Sequence, residues 1–185
     1  MVAHCHGTLL KISEVARSLG SSEPTARRYL DILTGTYVVR QLPPWFENLK
    51  KRQVKSAKVY VRDSGILHAL LQIANLADLQ SNPKLGASWE GFCIEQILAL
   101  TGDRNAYSWS THGGAELDLL LFHQGKRLGF EFKYSERPKT TKSMRVAQED
   151  LKLDHLYVVH PGQHSFPLDS QITATTLTAL VETLK

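Results

Sequence analysis

The sequence predicts a mixed α/β protein of two parts: a small domain over residues 1–62, a connecting helix and loop over 63–86, and an α/β domain over 87–185. Three observations support this division. Helical and strand-like apolar patterns alternate along the chain, the loop SNPKLG marks a natural boundary, and the charge changes sign. Residues 1–62 carry 11 Lys and Arg against four acids, a net charge of +7, whereas residues 63–185 carry 11 against 14, a net charge of −3.

Two short helices are predicted near the N-terminus. Ser13 begins SEVARSLG as a capping residue and Gly20 ends it, while Ser22 caps SSEPTARRYLDIL. Two helices separated by a Gly–Ser turn form a helix-turn-helix pattern. The following TYVVRQLPPW and SAKVYVRD would supply the two strands of a wing. The pattern predicts a winged-helix domain.

The basic N-terminal part is predicted to contact DNA. The first half of the second helix is where this fold meets bases and phosphates, and the basic stretch NLKKRQVKSAK is predicted to form a hairpin tip suited to phosphate contact. The candidate residues are Thr25, Arg27 and Arg28 in the helix and Lys50, Lys51 and Arg52 in the tip. The same pattern also fits a protein-docking module with a solvated basic tip, and the sequence leaves both readings open.

The remaining elements follow from periodicity. DSGILHALLQIANLADLQSNPKLG predicts a connecting helix of about a dozen residues followed by a loop, and ASWEGFCIEQILAL predicts the first helix of the second domain. Three strand-like runs follow, NAYSWST, AELDLLLF and LGFEFKY, the last two joined by a turn at Gly125. A helix from about Ser143 to Leu153, a strand DHLYVVH and a final helix ATTLTALVETLK complete the order α-β-β-β-α-β.

The strand LGFEFKY carries an acid and a base on one side. Residues two apart in a strand point the same way, so Glu131 and Lys133 share a side, opposite to the apolar residues between them. Alone, such a pair is usual on a half-exposed strand. Asp118 precedes Glu131 by a hairpin of 12 intervening residues, and Glu90 lies in the first turn of the preceding helix. Glu116 is a rival of Asp118, since both are predicted to face the same way.

These residues resemble a known signature. Glu90 on a helix, Asp118 on a strand and Glu131-Phe132-Lys133 on the next strand resemble the PD-(D/E)XK nuclease superfamily. The resemblance implies a restriction-endonuclease-like fold with the α-β-β-β-α-β core. Leu117 stands where the superfamily's name has Pro.

A narrower resemblance covers nearly the whole chain. KVYVRDSGILHAL, GASWEGFCIEQIL, GGAELDLLL and GFEFKY resemble the C-terminal domain, of unknown function, in a family of bacterial and archaeal AAA-type ATPases. It implies the tail of such a protein, as a fragment or truncated gene, with an ATPase module as partner in cis or in trans, and it is compatible with a homo-oligomer. The sequence contains no G-x-x-x-x-G-K-[ST] loop, so ATP hydrolysis is not predicted for this chain.

The predicted chemistry is magnesium-dependent cleavage of DNA. Mg²⁺ prefers a few carboxylates plus waters, and it neutralises a phosphodiester while acidifying a water. Asp118 and Glu131 would be direct ligands together with the Phe132 carbonyl, and Glu90 would bind directly or through water. Lys133 would position the attacking water. The alternative is a non-catalytic DNA-binding or docking module in which the charged residues form a structural network.

Composition limits where the protein acts. Hydrophobic residues make up 42% and charged residues 22% of the chain, as in soluble globular proteins. We find neither an apolar run of about 18 residues nor a signal peptide. Cys5 and Cys93 lie far apart, outside metal-like spacing. These features predict a cytoplasmic protein with free thiols and no membrane partner.

Overall fold

The computed structural model describes residues 1–48 and 50–185, which form a mixed α/β structure with two sheets. The chain divides into two compact units. The first contains Met1–Leu42 and Ser56–Phe92, and the second contains Pro43–Lys55 and Cys93–Lys185. This division differs from the predicted boundaries, because residues 43–55 leave the N-terminal part and join the C-terminal one.

The first unit is built on a three-stranded antiparallel sheet of order β1-β3-β2. Leu30 of its second helix packs with Val39 and Val59 of the sheet. The elements in chain order are a 3₁₀-helix Val2–Cys5, β1 Thr8–Leu9, α1 Ile12–Ser18, α2 Glu23–Gly35, β2 Val39–Leu42, β3 Lys58–Val61, α3 Ser64–Leu70 and α4 Leu76–Ser81. The two predicted N-terminal helices are therefore present.

Local sequence explains where the second of these two helices begins. The Ser22 hydroxyl accepts a hydrogen bond from the Thr25 backbone N–H at 3.3 Å, as expected of a capping serine. Helix α1 differs from the prediction: it starts after Lys11, which makes no side-chain capping bond.

The connecting helix predicted after Asp63 is shorter than the dozen residues expected, and part of the predicted loop is helical. The structure has two short helices there, α3 and α4, capped by the side chains of Asp63 and Asn75. Between them Gln72 adopts a left-handed backbone conformation with φ of 58°. A left-handed residue cannot continue an α-helix, so the apolar periodicity across this point does not correspond to one element.

The second unit is a six-stranded mixed sheet of order β4-β5-β6-β7-β9-β8. Strands β4, β5 and β6 pair antiparallel, β6, β7 and β9 pair parallel, and β8 is an antiparallel edge. The elements are α5 Leu85–Thr101, which begins in the first unit, then β4 Ala106–Ser110, β5 Glu116–His123, β6 Lys126–Phe132, α6 Lys142–Asp150, β7 His155–His160, β8 Phe166–Asp169, β9 Ile172–Thr176 and α7 Leu177–Leu184.

The predicted α-β-β-β-α-β order is present as α5 to β7, but the sequence reasoning missed β8 and β9. Strand β9 takes the first residues of the segment that was predicted to be only the final helix. Thr176 ends β9 and its side chain caps α7, which explains why the two elements share one continuous segment. Part of the core between α6 and the sheet is one apolar cluster: Trp109, Leu117, Leu120, Met144, Ala147, Leu151, Leu153, Leu156, Val158 and Ile172.

Residues 43–55 lie along β4 and not at the tip of a free hairpin, which corrects the predicted wing tip. Trp45 N–H donates to the Ser108 carbonyl at 2.7 Å, and Val54 N–H donates to the Ser110 carbonyl at 3.0 Å. The Trp45 ring packs on Tyr107 and Phe122 with centroid distances of 4.9 Å each. Pairing and aromatic burial therefore hold this basic stretch against the sheet; Leu49 within it lies outside the described residues.

None of the helices in the described part of the chain is both long and apolar enough to cross a membrane.

Candidate functional site

The β5–β6 hairpin brings Asp118 to the backbone of β6. Leu119 pairs with Phe130, so Asp118 and Glu131 flank the same cross-strand pair. The Asp118 carboxylate Oδ2 accepts a hydrogen bond from the Phe132 N–H at 3.2 Å. Asp118 is 5% exposed and Glu131 is 3% exposed. The strand register therefore places Asp118 and Glu131 at opposite positions of the hairpin, and both are nearly buried. Acids are seldom buried to this extent without charged or hydrogen-bonding neighbours.

Lys133 lies just beyond the end of β6 and contacts Glu131. Its Nζ is 2.8 Å from Glu131 Oε2, and the lysine side chain is 39% exposed while that of the glutamate is 4% exposed. The Lys133 ammonium thus reaches solvent while it neutralises a buried carboxylate. A simple surface charge pair, the plainer expectation for this strand, does not describe this geometry.

Glu90 is held inside the first unit. Its Oε1 accepts hydrogen bonds from Lys58 Nζ at 3.1 Å and from the Tyr60 hydroxyl at 2.5 Å. Tyr60 is fully buried, so this acid anchors helix α5 to strand β3. Sequence reasoning missed both bonds because they join residues at least 30 positions apart.

The predicted metal ligands are Glu90 of the first unit and Asp118 and Glu131 of the second. Across residues 1–48 and 50–185, no three His, Cys, Asp or Glu side chains are arranged to hold a metal ion. Asp118 and Glu131 remain suitable for Mg²⁺ by donor type, since this ion needs only one or two protein carboxylates and keeps several waters. The predicted role of Glu90 as a third ligand stays a prediction.

Glu116, the rival of Asp118, is exposed at the start of β5. Its backbone N–H and carbonyl both bond the Ser143 hydroxyl, at 2.7 and 2.8 Å. These bonds join β5 to the first turn of α6. Burial and contact with the β6 backbone distinguish Asp118 from Glu116 as the acid beside Glu131.

The candidate DNA contacts on α2 lie near its N-terminus. Arg27 and Arg28 are exposed, and Thr25 is half-buried with its hydroxyl 2.9 Å from that of Ser22. The two arginines are therefore open to a ligand, whereas Thr25 takes part in capping its own helix.

The candidates of the basic stretch lie in the second unit. Lys50, Lys51 and Arg52 are exposed, and Lys51 Nζ forms an ion pair with Asp150 at 2.8 Å. The carbonyl of Arg52 accepts a hydrogen bond from the His112 N–H. Lys51 is thus partly neutralised by an acid of α6.

Sequence reasoning gave no role to His160, which ends β7. Lys133 N–H donates to the Val159 carbonyl at 3.0 Å, which extends the parallel β6–β7 register by one residue and puts His160 beside Lys133. His160 is 1% exposed. The sequence nevertheless contained a signal that could have identified His160. It is a histidine at the carboxyl end of a buried strand, directly before Pro161-Gly162, and ligands bind at that edge of parallel sheets.

Comparisons with known proteins identify two sequence families. Residues 85–180 match the model described as domain of unknown function (DUF4143), and residues 1–77 match the model described as domain of unknown function (DUF8612). An uncharacterized protein of Mycobacterium tuberculosis, Rv2008c, and one of Mycobacterium bovis, Mb2031c, are each 51% identical to this chain over 174 residues, or 94% of it. The chain spans about 40% of the length of these relatives.

No solved structure matches this chain. The DUF4143 match covers slightly more than half of the residues and includes β5, β6 and β7, which carry Asp118, Glu131 and His160. The chain belongs to the family of the domain of unknown function DUF4143.

Proposed function

We propose that this chain is a DNA-associated module whose second unit cleaves phosphodiester bonds with the help of Mg²⁺. The observation that carries the proposal is the meeting of Asp118 with the Glu131-Phe132-Lys133 segment: two nearly buried carboxylates and one partly exposed ammonium on adjoining strands. In this proposal the second unit is nuclease-like and the first is a winged helix that binds DNA. Its cellular location would be the cytoplasm.

The residues fit the requirements of a magnesium site in donor type. Asp118 and Glu131 would hold the ion, which when bound neutralises phosphate charge and lowers the pKa of a coordinated water. Lys133 would hold the water or the phosphate oxygen through its solvent-facing ammonium.

The test is cleavage of single- and double-stranded DNA in Mg²⁺ or Mn²⁺ by the wild type and by Asp118→Asn, Glu131→Gln and Lys133→Gln. Each variant should lose about a hundredfold or more of the rate, because each removes a ligand or a proton-handling group. Glu149→Gln, an exposed acid on α6, is the matched control and should cut at the wild-type rate. A rate that depends on Glu116→Gln and not on Asp118→Asn would assign the ligand role to the rival acid.

A second candidate function is a non-catalytic regulatory module of an AAA-type ATPase, joined to it in cis or in trans. Two observations favour it: the Glu131–Lys133 ion pair neutralises the site without a metal, and Glu90 is engaged by Lys58 and Tyr60. Wild-type protein that binds DNA without cutting it in any divalent metal would support this function and contradict the nuclease.

A further inference from the structure

A polar pocket of about 490 Å³ opens at the carboxyl end of β7. Its walls come from two loops, one following β6 and one following β7, and from the first residue of β8. The residues that line it include Glu136, Arg137, His160, Gln163, His164 and Phe166. The pocket lies wholly within the second unit.

The buried residue of this pocket is His160. Gly162 N–H donates to His160 Nδ1 at 3.1 Å, so in the neutral ring the proton lies on Nε2. His160 Nε2 is buried and has no hydrogen-bond partner among the described residues. The pKa of His160 is below its usual range because burial disfavours the imidazolium more than the nearby His164 backbone favours it. His160 therefore carries its proton on a nitrogen that is closed to solvent, and its other nitrogen already accepts from Gly162, so the ring offers no lone pair to a metal.

The loop after β7 fits closely around this ring. A Cβ atom placed on Gly162 would lie 2.8 Å from His160 Nδ1 and 2.9 Å from its Cε1. The Phe166 ring packs against the imidazole of His160, and the two ring centroids are 5.5 Å apart. The ring is thus fixed by its own loop and by β8, which makes it a preorganised part of the pocket.

Above His160 the pocket exposes donors with one acid among them. Arg137, Gln163 and His164 are exposed and supply guanidinium, amide and imidazole N–H groups, while Glu136 is the exposed acid. His160 and His164 with Glu136 do not form a metal site, since the described residues contain no such group of three. A ligand rich in acceptor oxygens suits these donors, and guanidinium binds phosphate oxygens in pairs.

We propose that the pocket lined by Arg137, Gln163 and His164, whose loop His160 holds in place, binds a phosphate group of a nucleic-acid strand, next to the phosphate that the Asp118–Glu131 site would cut. The position supports this, because His160 is the lateral neighbour of Lys133 across the β6–β7 register. Only the statement that this is a second phosphate of the cleaved strand rests on the proposed function; phosphate binding by the pocket does not. Arg137 would pair with the phosphate, Gln163 and His164 would donate to it, and Glu136 would weaken binding by repulsion.

The test uses binding without cleavage. Fluorescence anisotropy in EDTA measures the affinity of the whole chain for fluorescein-labelled single-stranded oligonucleotides with a 5′-phosphate or a 5′-hydroxyl end. Arg137→Gln should weaken binding about tenfold, the effect of losing one charge-assisted pair, and should lower the log–log salt slope by about 0.7. Glu136→Gln should tighten binding several-fold, on the order of what relieving one repulsion gives.

The control is Lys126→Gln, which makes the same charge change as Arg137→Gln but at the opposite end of β6. It should bind as the wild type does. His160→Phe keeps a ring of similar size but removes the acceptor of the Gly162 N–H, so the loop should be held less well and binding should weaken. Thermal unfolding verifies that this variant folds. If it does not fold, the variants of the exposed Arg137 and Glu136 decide the question. Equal affinities for Arg137→Gln, Glu136→Gln and Lys126→Gln would overturn the proposal.

The source of the phosphate and the proposed nuclease are tested separately. A preference for the 5′-phosphate end assigns a terminal phosphate, equal binding of both ends assigns an internal one, and competition by dAMP or inorganic phosphate assigns a free one. In each of these three cases, Arg137→Gln should weaken binding and Glu136→Gln should tighten it. Wild-type protein that never cuts DNA would end the nuclease proposal and leave these affinities as they are.

Discussion

His6 shows how a single buried titratable residue stabilises the first unit. Val61 N–H donates to His6 Nδ1 at 3.0 Å, and His6 Nε2 lies 2.9 Å from the Ala87 carbonyl. The ring is therefore neutral with its proton on Nε2, and it joins the N-terminal segment to β3 and to α5. Gly91 lacks a Cβ at the point where one would lie 2.6 Å from this ring. Such a histidine is structural, although its sequence neighbours suggest only an isolated His-Cys-His tract.

We expect the stability of the first unit to fall in mild acid because of His6. Burial lowers the pKa of His6 from 6.5 to about 4. The unfolded chain therefore binds the proton first, and the free energy of unfolding should decrease as the pH falls from about 6.5 toward 4, at up to about 1.4 kcal/mol per pH unit. Urea unfolding between these pH values measures the slope.

The His6 prediction has an internal control. His6→Gln removes the titrating ring, so its unfolding free energy should depend less on pH over this range than that of the wild type. His4→Gln removes an exposed histidine two residues away and should leave the wild-type slope. Equal slopes for the wild type and His6→Gln would show that other groups set the acid sensitivity.

At the scale of elements, the segment 43–55 is the part of the fold that long-range contacts determine. Gln53 is its main polar anchor: Oε1 accepts from the Trp109 indole N–H at 3.0 Å and from the Glu47 N–H at 3.0 Å, and Nε2 donates to the Glu47 carbonyl at 2.7 Å. Trp109 is 1% exposed, so its indole N–H depends on this partner.

Gln53→Ala should destabilise the second unit by about 1–3 kcal/mol, the cost of leaving a buried donor unsatisfied. The free energy of unfolding in urea is the measurement. Gln96→Ala, an exposed glutamine on α5, should change it by less than about 0.5 kcal/mol. If both variants cost the same, the Gln53 side chain does not hold the segment.

Local patterns were sufficient for some elements and not for others. The hairpin of β5 and β6 was predictable because strand alternation and the turn at Gly125 are local. The position of Asp118 beside the β6 backbone follows from this hairpin. The docking of residues 43–55 depends on Trp45 packing against Tyr107 and Phe122, which sequence spacing does not indicate. The bonds of Glu90 to Lys58 and Tyr60 were likewise not predictable, because they join residues far apart in the sequence.

At the scale of the whole molecule, the basic residues are divided between the two folded units differently from their division between the two predicted domains. The basic excess of residues 1–62 was assigned to one domain, but Lys50, Lys51 and Arg52 belong to the second unit. Both units therefore carry exposed cations: Arg27 and Arg28 in the first, the basic stretch in the second. Among the exposed cations of the first unit, Arg27 and Arg28 lie in the half of α2 where this fold meets DNA, so we expect a DNA-binding activity of this unit to depend on them.

This leads to a prediction about the salt dependence of DNA binding. Each arginine that neutralises a phosphate of duplex DNA contributes about 0.9 to the slope of log affinity against log salt concentration. The double variant Arg27→Gln and Arg28→Gln should therefore lower the slope by up to about 1.8, measured by anisotropy with labelled duplex over a salt series. Arg17→Gln, an exposed arginine on α1, should leave the slope as it is. A double variant that matches Arg17→Gln would mean that Arg27 and Arg28 do not contact phosphate, because phosphate contacts cannot be removed without reducing counterion release.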